Sequence, residues 1–233
     1  MKKLGILIFI LALVLGIVVT NMFSVGQAAG SMFNFRINFK GEKGSGNVVT
    51  DRREVEAFHG VDVGGIYQVE ITAQKEYSVS VETDDNLVPM IKTEVDDGIL
   101  RISSEGKISP KNTIRIKIGA PDIDSLEVSG VANVTITGLK NDALTIGSSG
   151  ASKISVAGET RELTVDISGA TKVDANELKT QDATVGATGA SNVSVNVSGT
   201  LKAEATGASH ITYSGTPVSL QKSTSGVGSI TQR

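Results

Sequence analysis

This sequence predicts an all-β fold: a parallel β-solenoid (β-helix) of about six coils of 18–20 residues, behind an irregular β-rich amino-terminal cap. Three observations carry that expectation. A short phrase recurs six times: SGVANV at 129–134, SGASKI at 149–154, SGATKV at 168–173, TGASNV at 188–193, TGASHI at 206–211 and SGVGSI at 225–230. Its glycines, Gly130, Gly150, Gly169, Gly189, Gly207 and Gly226, are separated by 20, 19, 20, 18 and 19 residues, as in one supersecondary unit stacked on copies of itself. After five of the six glycines the apolar residues alternate with period two: Val134 and Ile136, Ile154 and Val156, Val173 and Ala175, Val193 and Val195, Ile211 and Tyr213. The third observation is negative. No 3.6-residue stripe runs through the units, and they are too short for a strand plus a crossover helix, which takes about thirty residues.

Within one unit each position has an expected role. A β-prone run such as Leu144–Ile146, Leu163–Ile167 or Leu201–Ala203 leads into the glycine. The glycine suits a sharp corner with positive φ, which other residues adopt only at a cost. The column after it (Val131, Ala151, Ala170, Ala190, Ala208, Val227) is expected where the wall bends too tightly for a large side chain. Like residues would then form ladders about 4.8 Å apart. Hydroxyls flank every glycine: Ser129, Ser149, Ser168, Thr188, Thr206 and Ser225 before it, Ser152, Thr171, Ser191 and Ser209 two residues after it. Such an array suits a regular ligand such as ice, glycan or mineral. The plainer reading, which we favour, is that stacked hydroxyls satisfy one another and the corner backbone. The varied column Asn133, Lys153, Lys172, Asn192, His210, Ser229 reads as a solvated face. The Asn-Val-Thr/Ser triplets at 133, 192 and 196 follow from the repeat itself.

From the amino terminus, Met1-Lys2-Lys3 precedes sixteen uncharged residues, Leu4–Val19. A basic tip before an apolar run is an export signal. Residues 1–28 are therefore expected to be a signal peptide cleaved near Gly26-Gln27-Ala28, or a retained membrane anchor, and in both cases the remainder faces outward. The chain has no cysteine, which excludes disulfides, thiolate metal sites and a lipidated anchor. Residues 29–54 are expected to be linker, with GEKGSGN at 41–47 flexible. SMFNFRINFK at 31–40 alternates so strictly that it reads as a covering strand or an amphipathic segment near a membrane. Residues 55–120 are expected to cap the array: strand-like runs cover 67–72, 77–82, 90–95, 99–103 and 113–118, with turns at Asp84-Asp85-Asn86 and a hairpin at Asp96-Asp97-Gly98, but no 19-residue signature. Residues 121–233 are the solenoid repeats.

GIYQVEI at 65–71, YSVSVETDDNLVPMIKTEVDDGILRIS at 77–103 and APDIDSLEVSG at 120–130, followed by SGAS-type repeats, resemble the head GIN domain family of autotransporter adhesin heads. The resemblance spans residues 55–233. It implies a bacterial, exported β-solenoid, and the family carries no established catalytic residues to transfer. No outer-membrane barrel follows residue 233, so a complete autotransporter is not expected.

The search for chemistry returns little. Net charge is −3, or −5 without Lys2 and Lys3, which argues against nucleic acid or an anionic lipid surface as the main partner. His59 and His210 are the only histidines, and Ser209-His210 cannot act together because strand neighbours point to opposite faces. Asp166, Asp174 and Glu177 with Lys172 come nearest to the acidic and basic cluster of a polysaccharide lyase. Tyr67, Tyr77 and Tyr213 are the candidate sugar platforms. No catalytic, cofactor-binding or metal residue is assigned; the six glycines are structural. The expected function is non-catalytic: an exported surface or envelope protein for adhesion or scaffolding, binding an envelope protein or glycan. The alternative is a polysaccharide-binding or polysaccharide-cleaving β-helix. Because the repeat runs to Ile230, self-association through the carboxy-terminal end, or its covering by the Phe33–Phe39 strand, is also expected.

Overall fold

The computed structural model describes residues 41–233, and within them the strands wind through about five turns of parallel β-solenoid. The apolar run at 4–19 and the Phe33–Phe39 strand lie outside the described residues. The chain runs through β1 (Glu42–Lys43), β2 (Val48–Arg53), β3 (Gly60–Thr72), β4 (Ser78–Asp84), a 3-10 turn at Asp85–Met90, β5 (Ile91–Asp96), β6 (Ile99–Ser104), β7 (Ile108–Ser109) and β8 (Arg115–Gly119). The regular coils follow: β9 (Ser125–Ser148), β10 (Lys153–Gly169), β11 (Lys172–Gly189), β12 (Asn192–Val197), β13 (Thr200–Gly207), β14 (His210–Ser214), β15 (Ser219–Gly226) and β16 (Ser229–Gln232).

Every pairing between successive coils is parallel and brings like residues together. One inward ladder is Val69, Val134, Ile154, Val173, Val193, Ile211 and Ile230, of which all but the last are buried. At about 1.5–3 kcal/mol per buried aliphatic side chain, such ladders are the main stabilising term. The core narrows toward the carboxy terminus, where Ile167 gives way to Ala187 and then Ala205 at one register position.

The cap region differs from expectation in one respect. β3 is itself a rung: Gly64-Gly65-Ile66-Tyr67 lies in register with Ser129-Gly130-Val131-Ala132, and Val69 and Ile71 pair with Val134 and Ile136. The 19-residue spacing fails there because β4 to β8 are inserted between Gly65 and Gly130. Those strands cover the rung. β8 pairs with β3 in parallel, β4 with β8 and β2 with β4 antiparallel, while β6 adds to the first half of β3 and forms the expected hairpin with β5.

Residues 41–53, expected to be linker, are instead part of this cap. β1 pairs with β7, β2 pairs with β4, and Gly44 is buried. The buried carboxylate of Asp84 holds the loop. Its Oδ1 accepts from Gly46 N at 2.9 Å and Asn112 Nδ2 at 2.7 Å, and its Oδ2 from Lys111 N at 2.8 Å and Asn112 N at 3.4 Å. Lys111 Nζ donates to Ser45 O at 2.8 Å, and Asn86 Nδ2 to Lys43 O at 2.8 Å. A loop rich in glycine is therefore ordered by side chains that arrive from 84–86 and 111–112.

At the opposite end β15 is exposed throughout and, among the described residues, pairs only with β13. Lys222 occupies the inward register below Ala203, and its ammonium lies 4.6 Å from the Tyr213 ring centroid. Thr224 stands below Ala205 and Gln232 below Tyr213. Polar residues thus replace apolar ones at inward positions. Gln221 pairs with Lys202 and belongs to the outward register. Lys222→Leu is expected to uncover an apolar end and promote association between chains. Light scattering over a concentration series should show a larger mean mass for the variant than for the wild type; identical masses would contradict this.

Candidate functional site

The six predicted glycines and Gly65 stack in a single corner column, each Cα against the carbonyl of the glycine one coil before. A Cβ on Gly169 or Gly189 would lie 2.5 Å from that oxygen, and on Gly207 2.8 Å. φ is +110° at Gly169 and +98° at Gly189, in the region that favours glycine. The corner has two consequences for neighbouring columns. The residues after the glycine point outward: Ile66 is 66%, Val131 55% and Val227 78% exposed, with the alanines between them also exposed. Their small size is therefore not imposed by a tight inner bend, which corrects the expectation. The next column turns inward instead: Ser152, Thr171, Ser191 and Ser209 are buried.

Those buried hydroxyls largely satisfy corner groups, as the plainer reading holds. Ser191 Oγ donates to Gly169 O at 3.1 Å, Thr171 Oγ1 to Gly150 O at 3.4 Å, and Ser148 and Thr171 share a hydrogen bond at 3.0 Å. Among the described residues Ser152 Oγ finds no partner.

Two outward faces meet at this corner. On the first, Thr145, Thr164 and Thr184 form one column and Ser149, Ser168, Thr188, Thr206 and Ser225 another. Between them runs a column absent from the sequence-based expectations: Asp62, Glu127, Gly147, Asp166, Gly186, Glu204, Ser223. From Glu127 onward its members stand three residues before each corner glycine, so superposing the units would have found it. Burial, then the charges of Asp62 and Asp166, push the Glu127 carboxyl above its ordinary value.

The second face carries Gln68, Asn133, Lys153, Lys172, Asn192, His210 and Ser229, the solvated column predicted from sequence. Beside it runs a longer column that continues into the cap: Arg52, Ser80, Lys117, Glu70, Thr135, Ser155, Asp174, Ser194, Thr212, Thr231. On a third wall Glu159 sits between Lys140 and Lys179. A hydrogen bond at 2.9 Å and the charge of Lys179 hold its carboxyl below the ordinary value.

The suspected acidic and basic cluster does not assemble on one face. Asp166 lies on the first face, while Lys172 and Asp174 lie on the second, where Asp174 Oδ1 accepts from Asn176 Nδ2 at 2.8 Å. His210 is exposed while Ser209 is buried, and the His210 ring contacts Ser229 Oγ at 2.9 Å. His59 Nδ1 lies 2.8 Å from Asp124 Oδ1, near the β5–β6 turn. Among the described residues no group of three or more His, Asp or Glu is placed to hold a metal ion.

Tyr67 and Tyr213 are 3% and 4% exposed, which removes them as sugar platforms. Tyr77 remains, 42% exposed. It lines a hollow of about 910 Å3 on the cap end of the second face; a second hollow, of about 460 Å3, lies on the same face by Asp174.

In-register parallel coils, a glycine corner, outward polar ladders and a covered first rung define a capped parallel β-solenoid. The chain belongs to the family described as "Putative auto-transporter adhesin, head GIN domain", whose profile matches residues 57–217. Among solved structures it is similar to a putative adhesin from Bacteroides fragilis NCTC 9343, at 21% identity and TM-score 0.69, covering 83% of this chain and 100% of that one. It is also similar to a putative adhesin from Parabacteroides merdae ATCC 43184, at 18% identity and TM-score 0.55, covering 82% and 98% of the respective chains. A putative lipid binding protein from Parabacteroides distasonis ATCC 8503 matches at 20% identity and TM-score 0.51, covering 83% and 100%. At these identities the likeness concerns the fold. Among curated proteins none matches significantly. Among the described residues no helix is long and apolar enough to cross a membrane.

Proposed function

We propose that this chain is an exported, non-catalytic surface or envelope protein that presents a rigid β-solenoid for adhesion or scaffolding. The observation that carries the reading is the unbroken outward column from Arg52 to Thr231. It places hydroxyl and charged groups at a fixed spacing of about 4.8 Å along one face. Such a surface is preorganised, so a ligand meets it without an ordering cost to the protein. Membership of an adhesin-head family and the basic-then-apolar amino terminus at residues 1–28 support the same reading. The partner is an envelope or surface protein or glycan rather than nucleic acid, in keeping with the acidic balance. The edge at β15 and β16, open among the described residues, offers a place for a second chain.

Intact cells treated with an external protease should lose the solenoid while a cytoplasmic marker survives. Protection equal to that marker would overturn the exported reading. The non-catalytic half has its own test. The purified chain should release no oligosaccharides from a panel of neutral and acidic polysaccharides. Release that disappears in Asp166→Asn or Asp174→Asn would replace a binding role by a cleaving one.

A further inference from the structure

Tyr77 is the one aromatic side chain among the described residues that is substantially exposed; Phe58, Tyr67 and Tyr213 are buried. Its ring is braced by Phe58, with centroids 5.2 Å apart at a tilt of 58°. It stands on the rim of the 910 Å3 hollow, toward the upper end of the ~300–1,000 Å3 typical of ligand pockets.

The floor of that hollow is the cap end of the long outward column. Arg52, Ser80, Lys117 and Glu70 lie on four successive paired strands. In the row beside it Ser78 and Thr72 flank Gly119, where Ser78 Oγ and the carbonyl of Glu76 fill the space a side chain would take. Arg52, Lys117 and Glu70 form no ion pair among the described residues, so their donors and acceptors face the hollow uncommitted.

The rim is fixed in place. Gln74 N donates to Pro121 O at 3.1 Å, Lys75 N to Ala120 O at 3.0 Å and Ala73 N to Thr137 O at 2.9 Å. Gln74 itself has φ of +61°. This loop is therefore ordered before any ligand arrives.

We infer that this hollow is a saccharide-binding site, with Tyr77 as the stacking platform and Arg52, Ser80, Lys117 and Glu70 as the hydroxyl-reading groups. A sugar ring presents an apolar C–H face and an edge of hydroxyls that both donate and accept. An aromatic side chain beside a row of mixed donors and acceptors is complementary to both. An extended peptide would instead seek the edge of β2, unpaired among the described residues, and would leave the Tyr77 ring unused. The inference rests on the reading of the chain as a binding module and names the ligand class. The protease test on intact cells is independent of it, so the two can fail separately.

The purified full chain should be applied to an array of bacterial and host glycans, and the saccharides retained should then be titrated in solution. Tyr77→Ala and Lys117→Met are each expected to weaken binding by about tenfold or more. Tyr77→Phe, which keeps the ring and its contact with Phe58, should bind nearly as the wild type does. If melting curves show that Tyr77→Ala is misfolded, Lys117→Met and Arg52→Ala carry the test, because both side chains are exposed on paired strands. No retained saccharide, binding unchanged in these variants, or retention of extended peptides alone would overturn the inference.

Discussion

Gly169→Val should cost the fold about 3 kcal/mol or more. Two penalties combine at this residue. Its φ of +110° lies where a β-branched side chain is strained, and its Cβ would lie 2.5 Å from the carbonyl oxygen of Gly150. That oxygen belongs to the backbone of the neighbouring coil and accepts from Ala170 N at 3.0 Å, so it cannot move aside cheaply. Urea denaturation followed by far-ultraviolet circular dichroism should show a lower midpoint. A midpoint equal to the wild type's would mean that neighbouring coils can separate at the corner without loss, against the stacked column described above.

Asp84→Ala is expected to release the 41–47 loop and lower the melting temperature by several degrees. Four donors, from Gly46, Lys111 and Asn112, would lose their acceptor inside the cap. The same carboxyl predicts a pH dependence. Burial pushes its pKa up, but the hydrogen bonds from Asn112, Lys111 and Gly46 outweigh burial and hold it below the ordinary carboxylate value. The unfolded chain therefore binds this proton more readily than the folded one. The contribution is fully present above the unfolded value of about 3.9 and is lost as pH falls through the folded value. Asp84→Asn should flatten that acidic limb of the stability curve. A limb as steep as the wild type's would assign the acid sensitivity to other carboxylates. Proteolysis should also separate the two states: cleavage within 41–47 is expected to be faster in Asp84→Ala than in the wild type.

The candidate surfaces were only partly legible in the sequence. The solvated column from Asn133 to Ser229 could be read directly, because its polarity and spacing both repeat. The acidic column through Glu127, Asp166 and Glu204 escaped notice because Gly147 and Gly186 interrupt it, although every member keeps its distance from the corner glycine. The hollow at Tyr77 had no signal of its own. Its floor joins Arg52, Ser80, Lys117 and Glu70 from four strands, through two antiparallel pairings and one parallel pairing that no spacing encodes.

By itself the sequence determined the repeat architecture. A glycine every 18–20 residues and a period-two apolar pattern restate the same local instruction in every coil, and stacking like on like satisfies all of them together. Strands β3, β4, β5, β6 and β8 of the cap and the hairpin at Asp97-Gly98 were also readable, at least in part, since alternation and turn chemistry are local. Three things were decided only in the tertiary structure. β3 became the first rung although an insertion separates Gly65 from Gly130. The glycine-rich 41–47 loop became ordered because Asp84, Asn86 and Lys111 reach it from distant strands. The corner itself formed where each glycine meets the carbonyl of the glycine one coil before, and the period-two facing ran straight through it, leaving the small column outward and the hydroxyl column inward. Each depends on contacts between residues far apart in the chain, which local propensity does not record.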